Sequence, residues 1–260
     1  MNSERLLLTI DDGVARLVLS RPEAANAIDL AFAKELEAAA ALIKSERVRV
    51  VVVTALGRQF CVGGDLKSFA KQDDVPAHIE EVTTHLHEGI ATLSELDAPL
   101  IVAVNGAVAG AGLGLVCAAD LVVAAESSTY LMAYTRLGLS PDGSTSWFLA
   151  RHVGLHRALE LSLTNRVLSA REALEWGIVT RVVTDDDVPE ETESLVALLA
   201  AGPTASFGAT KRLLRSASSN SLREHLGAEG ASITSLARSA DGAEGIRAFV
   251  ERRDATFIGG

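Results

Sequence analysis

Pro99-Leu-Ile-Val-Ala-Val-Asn-Gly-Ala-Val-Ala-Gly-Ala-Gly-Leu-Gly114 joins an apolar run to a cluster of glycine and alanine. An apolar run without alternation reads as a strand covered on both faces, the habit of parallel sheets. The glycines that follow let the backbone turn tightly and approach a neighbour or a ligand closely before a helix begins. The same order occurs upstream. Val48–Thr54 reads as a second buried strand, and Arg58-Gln-Phe-Cys-Val-Gly-Gly-Asp-Leu-Lys67 lies in the loop after it, leading into a short helix. Strand, glycine-bearing loop and helix, twice over, point to an α/β protein.

Working outward, Leu6–Ile10, Asp11-Asp-Gly13 and Val14–Leu19 read as strand, turn and strand. After Arg21-Pro22, the residues Ala33, Leu36, Ala40 and Ile43 recur at helical steps, with Asp29 as the N-cap. A long helix is expected over Ala77–Leu96, with Ile79, Val82, Leu86, Ile90 and Leu93 inward. A further strand follows at Asp120–Ala124, and from Ser144 the chain is mostly helical. Ser169-Ala-Arg-Glu172 is a capping box, and Gly177 is the stop of its helix. One more strand, Thr180–Val183, precedes three C-terminal helices punctuated by Gly202-Pro203. The expected organisation is an α/β core over residues 1–200 and a helical region over 201–260.

The formal net charge of -10 makes nucleic acid an unexpected partner. Aromatic residues are only 4%, so the core must be built from Ala, Val and Leu. Two cysteines, Cys61 and Cys117, form no disulfide framework or C-x-x-C pair, and no metal site is expected. The start, Met1-Asn-Ser-Glu-Arg5, lacks a basic region followed by an apolar core. No apolar run approaches the ~18 residues of a membrane span. A cytoplasmic enzyme without a membrane partner is the expectation.

The first N–H groups of a helix have no internal acceptor and carry partial positive charge. Two such loop–helix junctions aimed at one point would form an oxyanion hole. Close packing of helix on sheet is the other reading of the same glycines. A dinucleotide site does not fit, because Ala109-Gly-Ala-Gly-Leu-Gly114 fails the G-x-G-x-x-G spacing.

Five segments, in order, resemble the crotonase (enoyl-CoA hydratase/isomerase) family. They are Arg21-Pro-Glu-Ala-Ala-Asn-Ala27, Phe60-Cys-Val-Gly-Gly-Asp-Leu-Lys67, Val104-Asn-Gly-Ala-Val-Ala-Gly-Ala-Gly112, Leu168-Ser-Ala-Arg-Glu-Ala-Leu-Glu-Trp-Gly-Ile-Val179 and Glu244-Gly-Ile-Arg-Ala-Phe-Val-Glu-Arg-Arg253. The resemblance implies a spiral of ββα units with C-terminal helices that pack a homotrimer, often doubled to a hexamer. It implies an acyl-CoA thioester as ligand and no separate cofactor, CoA being part of the substrate. By position, the oxyanion donors would be the backbone N–H groups of Gly64 and Ala111. The family usually has glycine at the second position. Ala24, Asp65, Leu66 and Lys67 would line the CoA, and Phe249 and Arg252 match tail positions that reach a neighbour's CoA in some members. The acyl pocket would come from the segment between Phe69 and Leu86.

The resemblance also locates what is missing. The hydratases of the family use two glutamates, and Gly114 and Tyr134 occupy those positions here. Asp142, in Leu139-Ser-Pro-Asp-Gly143, is the nearest replacement carboxylate. Helix capping is its bland role. The Pro-Asp pair is similar to family isomerases that shift double bonds or open ring epoxides in CoA thioesters, where one aspartate moves the proton. Gly138–Gly154 and Ala158–Arg166 are also similar to the family's 4-chlorobenzoyl-CoA dehalogenases. There the aspartate attacks the aromatic ring, a tryptophan (Tyr134 here) bonds it, and a histidine, His87 by position, helps water release the product. Double-bond isomerisation with Asp142 as proton shuttle is the leading expectation. An aryl-CoA dehalogenase with Asp142 as nucleophile and a non-catalytic acyl-CoA binder are its rivals. His85, Tyr130 and Trp147 read as packing residues, and Cys61 has no visible histidine partner.

Overall fold

The computed structural model describes residues 5–260. The opening residues on which the expectation about a leader rests lie partly outside the described residues. The chain begins with an antiparallel pair, β1 (Leu6–Asp11) and β2 (Val14–Leu19), followed by α1 (Leu30–Ser45). Three successive strand pairs follow. They are β3 (Val50–Ala55) with β4 (Gln59–Cys61), β5 (Leu100–Val104) with β6 (Ala107–Ala109), and β7 (Leu121–Ala125) with β8 (Thr129–Leu131). The first pair leads into α2 (Leu66–Phe69) and α3 (Val75–Glu95), the second into α4 (Ala111–Ala118). The third leads through a turn into α5 (Thr145–Val153) and α6 (Leu155–Thr164). Then come β9 (Leu168–Ser169), α7 (Ala170–Trp176), β10 (Arg181–Val183) and α8 (Val188–Ala200). The last elements are α9 (Thr204–Ser216), α10 (Leu222–Leu236) and α11 (Ala240–Glu251).

The first strand of each pair joins a six-stranded sheet ordered β1-β2-β3-β5-β7-β10, parallel from β2 onward. The second joins a smaller sheet ordered β4-β6-β8-β9. Each repeat therefore steps across two sheets before its helix, which is the expected ββα spiral. The smaller sheet is where the structure adds to the sequence reading. β4 and β6 lie inside stretches that read as loops, and β8 and β9 had no sequence counterpart.

The continuous apolar character of β3 has its cause here. Val51 and Val53 face a core shared with α1 and α3, while Val50 and Val52 face a second cluster under Val188, Leu195 and Val196 of α8. The long helix α3 starts at Val75, two residues earlier than expected, with Pro76 in its first turn and the Asp74 carboxylate accepting from Ala77 N–H. Val82, Leu86, Ile90 and Leu93 are buried, each contributing about 1.5–3 kcal/mol of apolar burial. At Gly89 the helix touches α1: an added Cβ would meet Leu36 Cγ at 2.9 Å and Glu37 N at 3.0 Å. That close approach fixes the position of α3, and with it His87.

Among the described residues, no helix is long and apolar enough to cross a membrane. The last three helices are the least covered part of the chain. α10 buries none of its residues, and Leu222, Leu226 and Ile233 on it are exposed, as are Ile246 and Phe249 on α11.

Candidate active site

The Arg21–Ala27 segment turns out to be scaffolding for the first glycine loop. Arg21 Nη1 donates to Asp29 Oδ2 at 3.0 Å and to Asp65 Oδ2 at 2.8 Å. Asp29 caps α1 by accepting from Phe32 N–H, and Asp65 caps α2 by accepting from Ser68 N–H. One guanidinium thus ties two helix starts together. Partial burial works against ionisation of Asp65, but the Ser68 N–H and Arg21 outweigh it and hold its carboxyl below the usual range. Asn26, buried with φ 54°, donates to Leu56 O and Gln59 O and accepts from Arg21 N–H. All this fixes the chain against which Gly64 lies.

Gly64 bridges Ile28 in parallel fashion. Ile28 N–H donates to Gly63 O and Asp65 N–H donates to Ile28 O, both at 2.8 Å. Successive N–H groups of an extended chain point to opposite sides, so Asp65 N–H facing Ile28 turns Gly64 N–H the other way. The second loop is seated directly on the first. A Cβ on Gly63 would come within 2.9 Å of Ala109 O and 3.3 Å of Ala111 N, and Gly63 has φ 87°. Ala111 opens α4, whose eight residues are all buried, behind Gly110 at φ 53°. Among the described residues, neither Gly64 N–H nor Ala111 N–H has an acceptor. Two donors at adjoining loops, one at a helix start, are therefore unspent.

Both residues line a cavity of about 370 Å³. Its apolar part comes from Phe69, Ile79, Val82 and Leu86, which belong to the segment expected to supply an acyl pocket, and from Leu137 and Leu139. The last two were not foreseen; alternation in Arg136-Leu-Gly-Leu-Ser140 was the available signal. Tyr134 and Asp142 also line the cavity, on a turn that adjoins the second loop. Tyr134 Oη donates to Asp142 Oδ1 at 2.7 Å. Burial, followed by the neighbouring Asp142 charge, pushes the Tyr134 phenol well above its usual range, so it remains a donor.

Asp142 does not cap α5. The N-cap is Ser144, at φ 67°, and no side chain caps that helix start. Asp142 O, not its carboxylate, accepts from Thr145 N–H and Thr145 Oγ1. The carboxylate is therefore left for the cavity, with Oδ1 tied to Tyr134. His87 Nε2 lies 3.7 Å from Asp142 Oδ2 and accepts from Gly143 N–H at 3.0 Å.

Gly114 explains why a glutamate cannot stand there in this chain. A Cβ would fall 1.9 Å from Gly143 O and 2.8 Å from Thr145 Oγ1. The turn carrying Asp142 fills the space that a side chain at 114 would need.

Other expected residues fall outside the cavity lining. Leu66 lines it, whereas Ala24 and Lys67 sit beside the first loop and the Asp65 carboxylate is spent on Arg21 and Ser68. Phe249 and Arg252 are exposed on and just after α11. His85 pairs with Glu37, Tyr130 is buried against Ser128, and Trp147 packs under Arg151. Cys61 is fully buried, which pushes its thiol up to about 12 and leaves it inert.

A family model described as Enoyl-CoA hydratase/isomerase matches residues 9–260. The chain belongs to the enoyl-CoA hydratase/isomerase (crotonase) family. The match covers all the elements of this site in this enoyl-CoA hydratase/isomerase family member. A probable enoyl-CoA hydratase of Rhodobacter capsulatus is 37% identical over 260 residues, covering 100% of both chains. The 1,2-epoxyphenylacetyl-CoA isomerase of Escherichia coli is 36% identical, covering 98% of this chain and 99% of its own. The 4-chlorobenzoyl coenzyme A dehalogenase-2 of an Arthrobacter species is 36% identical over 81% of this chain and 78% of its own. The crystal structure of a putative enoyl-CoA hydratase/isomerase from Mycobacterium abscessus superposes with a TM-score of 0.94 at 34% identity, covering 98% and 100% of the two chains. As a crotonase-family enzyme, the protein acts on CoA thioesters.

Proposed function

We propose that this family member is a CoA-thioester isomerase in which Asp142 carries the proton. One observation supports the reading above others. Asp142 is the one carboxylate among the described residues lining the cavity, which also presents Gly64 and Ala111. In this scheme the thioester oxygen lies against the two backbone N–H groups. Asp142 Oδ2 removes a proton next to the thioester carbonyl. The electron pair moves into the carbonyl, giving an enolate whose oxygen the two donors hold. The proton then returns from Asp142 to the far end of the conjugated system, and the double bond has shifted with no atom gained or lost. Tyr134 keeps Oδ1 occupied, so Oδ2 is the oxygen that moves the proton.

The aliphatic and aromatic lining suits an apolar enoyl or aryl group. Lys67, exposed beside the first loop, is a candidate contact for the anionic CoA, and Ala24 would flank it. The reaction so written needs no cofactor beyond the substrate's own CoA. We further propose that the uncovered apolar side chains of α10 and α11 pack against other copies, as a homotrimer or hexamer, which would bring Phe249 and Arg252 to a neighbour's ligand. Sedimentation at micromolar concentration checks this; a stable monomer would refute it.

The catalytic reading is tested in deuterium oxide with a panel of enoyl-, phenylacetyl- and halobenzoyl-CoA thioesters. Exchange next to the carbonyl and a moved double bond are expected with at least one. A covalent aryl ester on Asp142, seen by mass spectrometry, would replace this reading with the dehalogenase one. Binding with neither exchange nor ester would make the chain a non-catalytic binder.

A further inference from the structure

We infer that His87 is a positioning residue, holding the peptide that follows Asp142 through its Nε2, and not a base toward water. The inference rests on the reading of Asp142 as the proton carrier. A neutral imidazole has one donor and one acceptor nitrogen, each with a single in-plane direction. Gly143 N–H points at His87 Nε2 from 3.0 Å, so Nε2 is the unprotonated nitrogen and Nδ1 carries the hydrogen. Asp142 Oδ2, at 3.7 Å from the same nitrogen, is beyond hydrogen-bond reach. To take a proton on Nε2, the ring would first have to release Gly143.

The peptide concerned is the one between Asp142 and Gly143. Its carbonyl accepts from Thr145 N–H at 3.1 Å and Thr145 Oγ1 at 2.8 Å. Its N–H is held by His87. Clamping both ends of one peptide plane fixes the backbone of Asp142, and so the direction in which its carboxylate leaves the chain. The turn needs such holding. Gly143 and Ser144 both have positive φ, 57° and 67°, and Ser144 is a residue for which that conformation is unfavourable. The same turn lies against the oxyanion wall, since a Cβ on Gly143 would meet Ala111 Cβ at 3.2 Å. His87 reaches the turn from a helix pinned at Gly89, two residues further on, so its ring stands on a rigid element.

The test uses the full chain with ¹⁵N-labelled histidine. The wild-type protein at neutral pH is expected to show His87 with an unprotonated Nε2 and a protonated Nδ1, assigned by loss of its signal in His87→Gln. A protonated Nε2 would overturn the inference. This measurement needs no substrate, so its outcome is separate from that of the isomerase reading, which Asp142→Asn tests. In the exchange assay, His87→Ala should lower kcat about 10- to 100-fold with KM within about twofold, the scale of a misplaced catalytic group. His87→Gln, whose amide oxygen accepts from Gly143 but is no base, should recover to within about threefold of wild type. An inactive His87→Gln with wild-type melting would overturn positioning in favour of a base. A fully active His87→Ala would overturn both.

Discussion

The two walls of the cavity are built on different chemistry. Gly64 and Ala111 offer main-chain N–H groups set by loop geometry; Asp142 and Tyr134 present side-chain atoms, with His87 outside the cavity holding the turn that carries Asp142. The first wall is indifferent to side-chain identity and intolerant of displacement: Gly63 and Gly110 both need positive φ, and the loops touch through their backbones. The second depends on identity, and its backbone matters only by aiming one carboxylate. A substitution should therefore cost most where it removes the acting atom, whichever wall that atom is on.

The largest effect is expected from Asp142→Asn. Exchange should fall about 10³-fold, within the range for a lost general acid–base. Thioester affinity by calorimetry should stay within about threefold, because the donors on the other wall survive. Next is Gly64→Pro, which deletes an acting N–H. The loss should be about 10²–10³ in kcat, read alongside a melting curve that shows the chain folded. Wild-type activity would mean the hole lies elsewhere. Gly114→Ala removes no acting atom but pushes on Gly143 O from 1.9 Å. It should cost about 1–3 kcal/mol of stability by overpacking, seen in denaturant unfolding, and a smaller loss of kcat as Asp142 shifts. The smallest effect is expected from Ala111→Gly. It keeps the N–H and should change turnover by less than about twofold, with a stability cost below about 1 kcal/mol. A large loss there would show that the Ala111 side chain acts, and the contrast between the walls would fail.

The sequence carried the short-range features well. Asp29 capping α1, the Ser169–Glu172 box and the stop at Gly177 sit where the residues placed them, because each is settled within four residues. The buried strands were legible since a run covered on both faces needs no partner to be recognised. The second sheet was not. β4, β6 and β8 have three residues each, too few to show a period of two, and they lie among glycines that also read as loop. In the site, the carboxylate at 142 was singled out only through the family resemblance, and its freedom from capping was not legible at all. That depends on Ser144 taking a left-handed conformation, which nothing in Pro-Asp-Gly-Ser announces. The His87–Gly143 contact spans 56 residues and has no local trace. Nor does the clash that keeps residue 114 a glycine, since it is made with backbone 29 residues downstream.

α10 begins with a capping box at Ser221 and Glu224, yet none of its fifteen residues is buried. A capped helix of that length is marginal in water without a covered face. Its amides should therefore exchange with solvent through local opening, at a free energy far below that of β3 or β5, whose amides wait for the whole chain to unfold. Exchange that slows along α10 as protein concentration rises, with β3 unchanged, would register the arrival of a covering surface residue by residue. The concentration at which that slowing sets in would measure how tightly the surface is held.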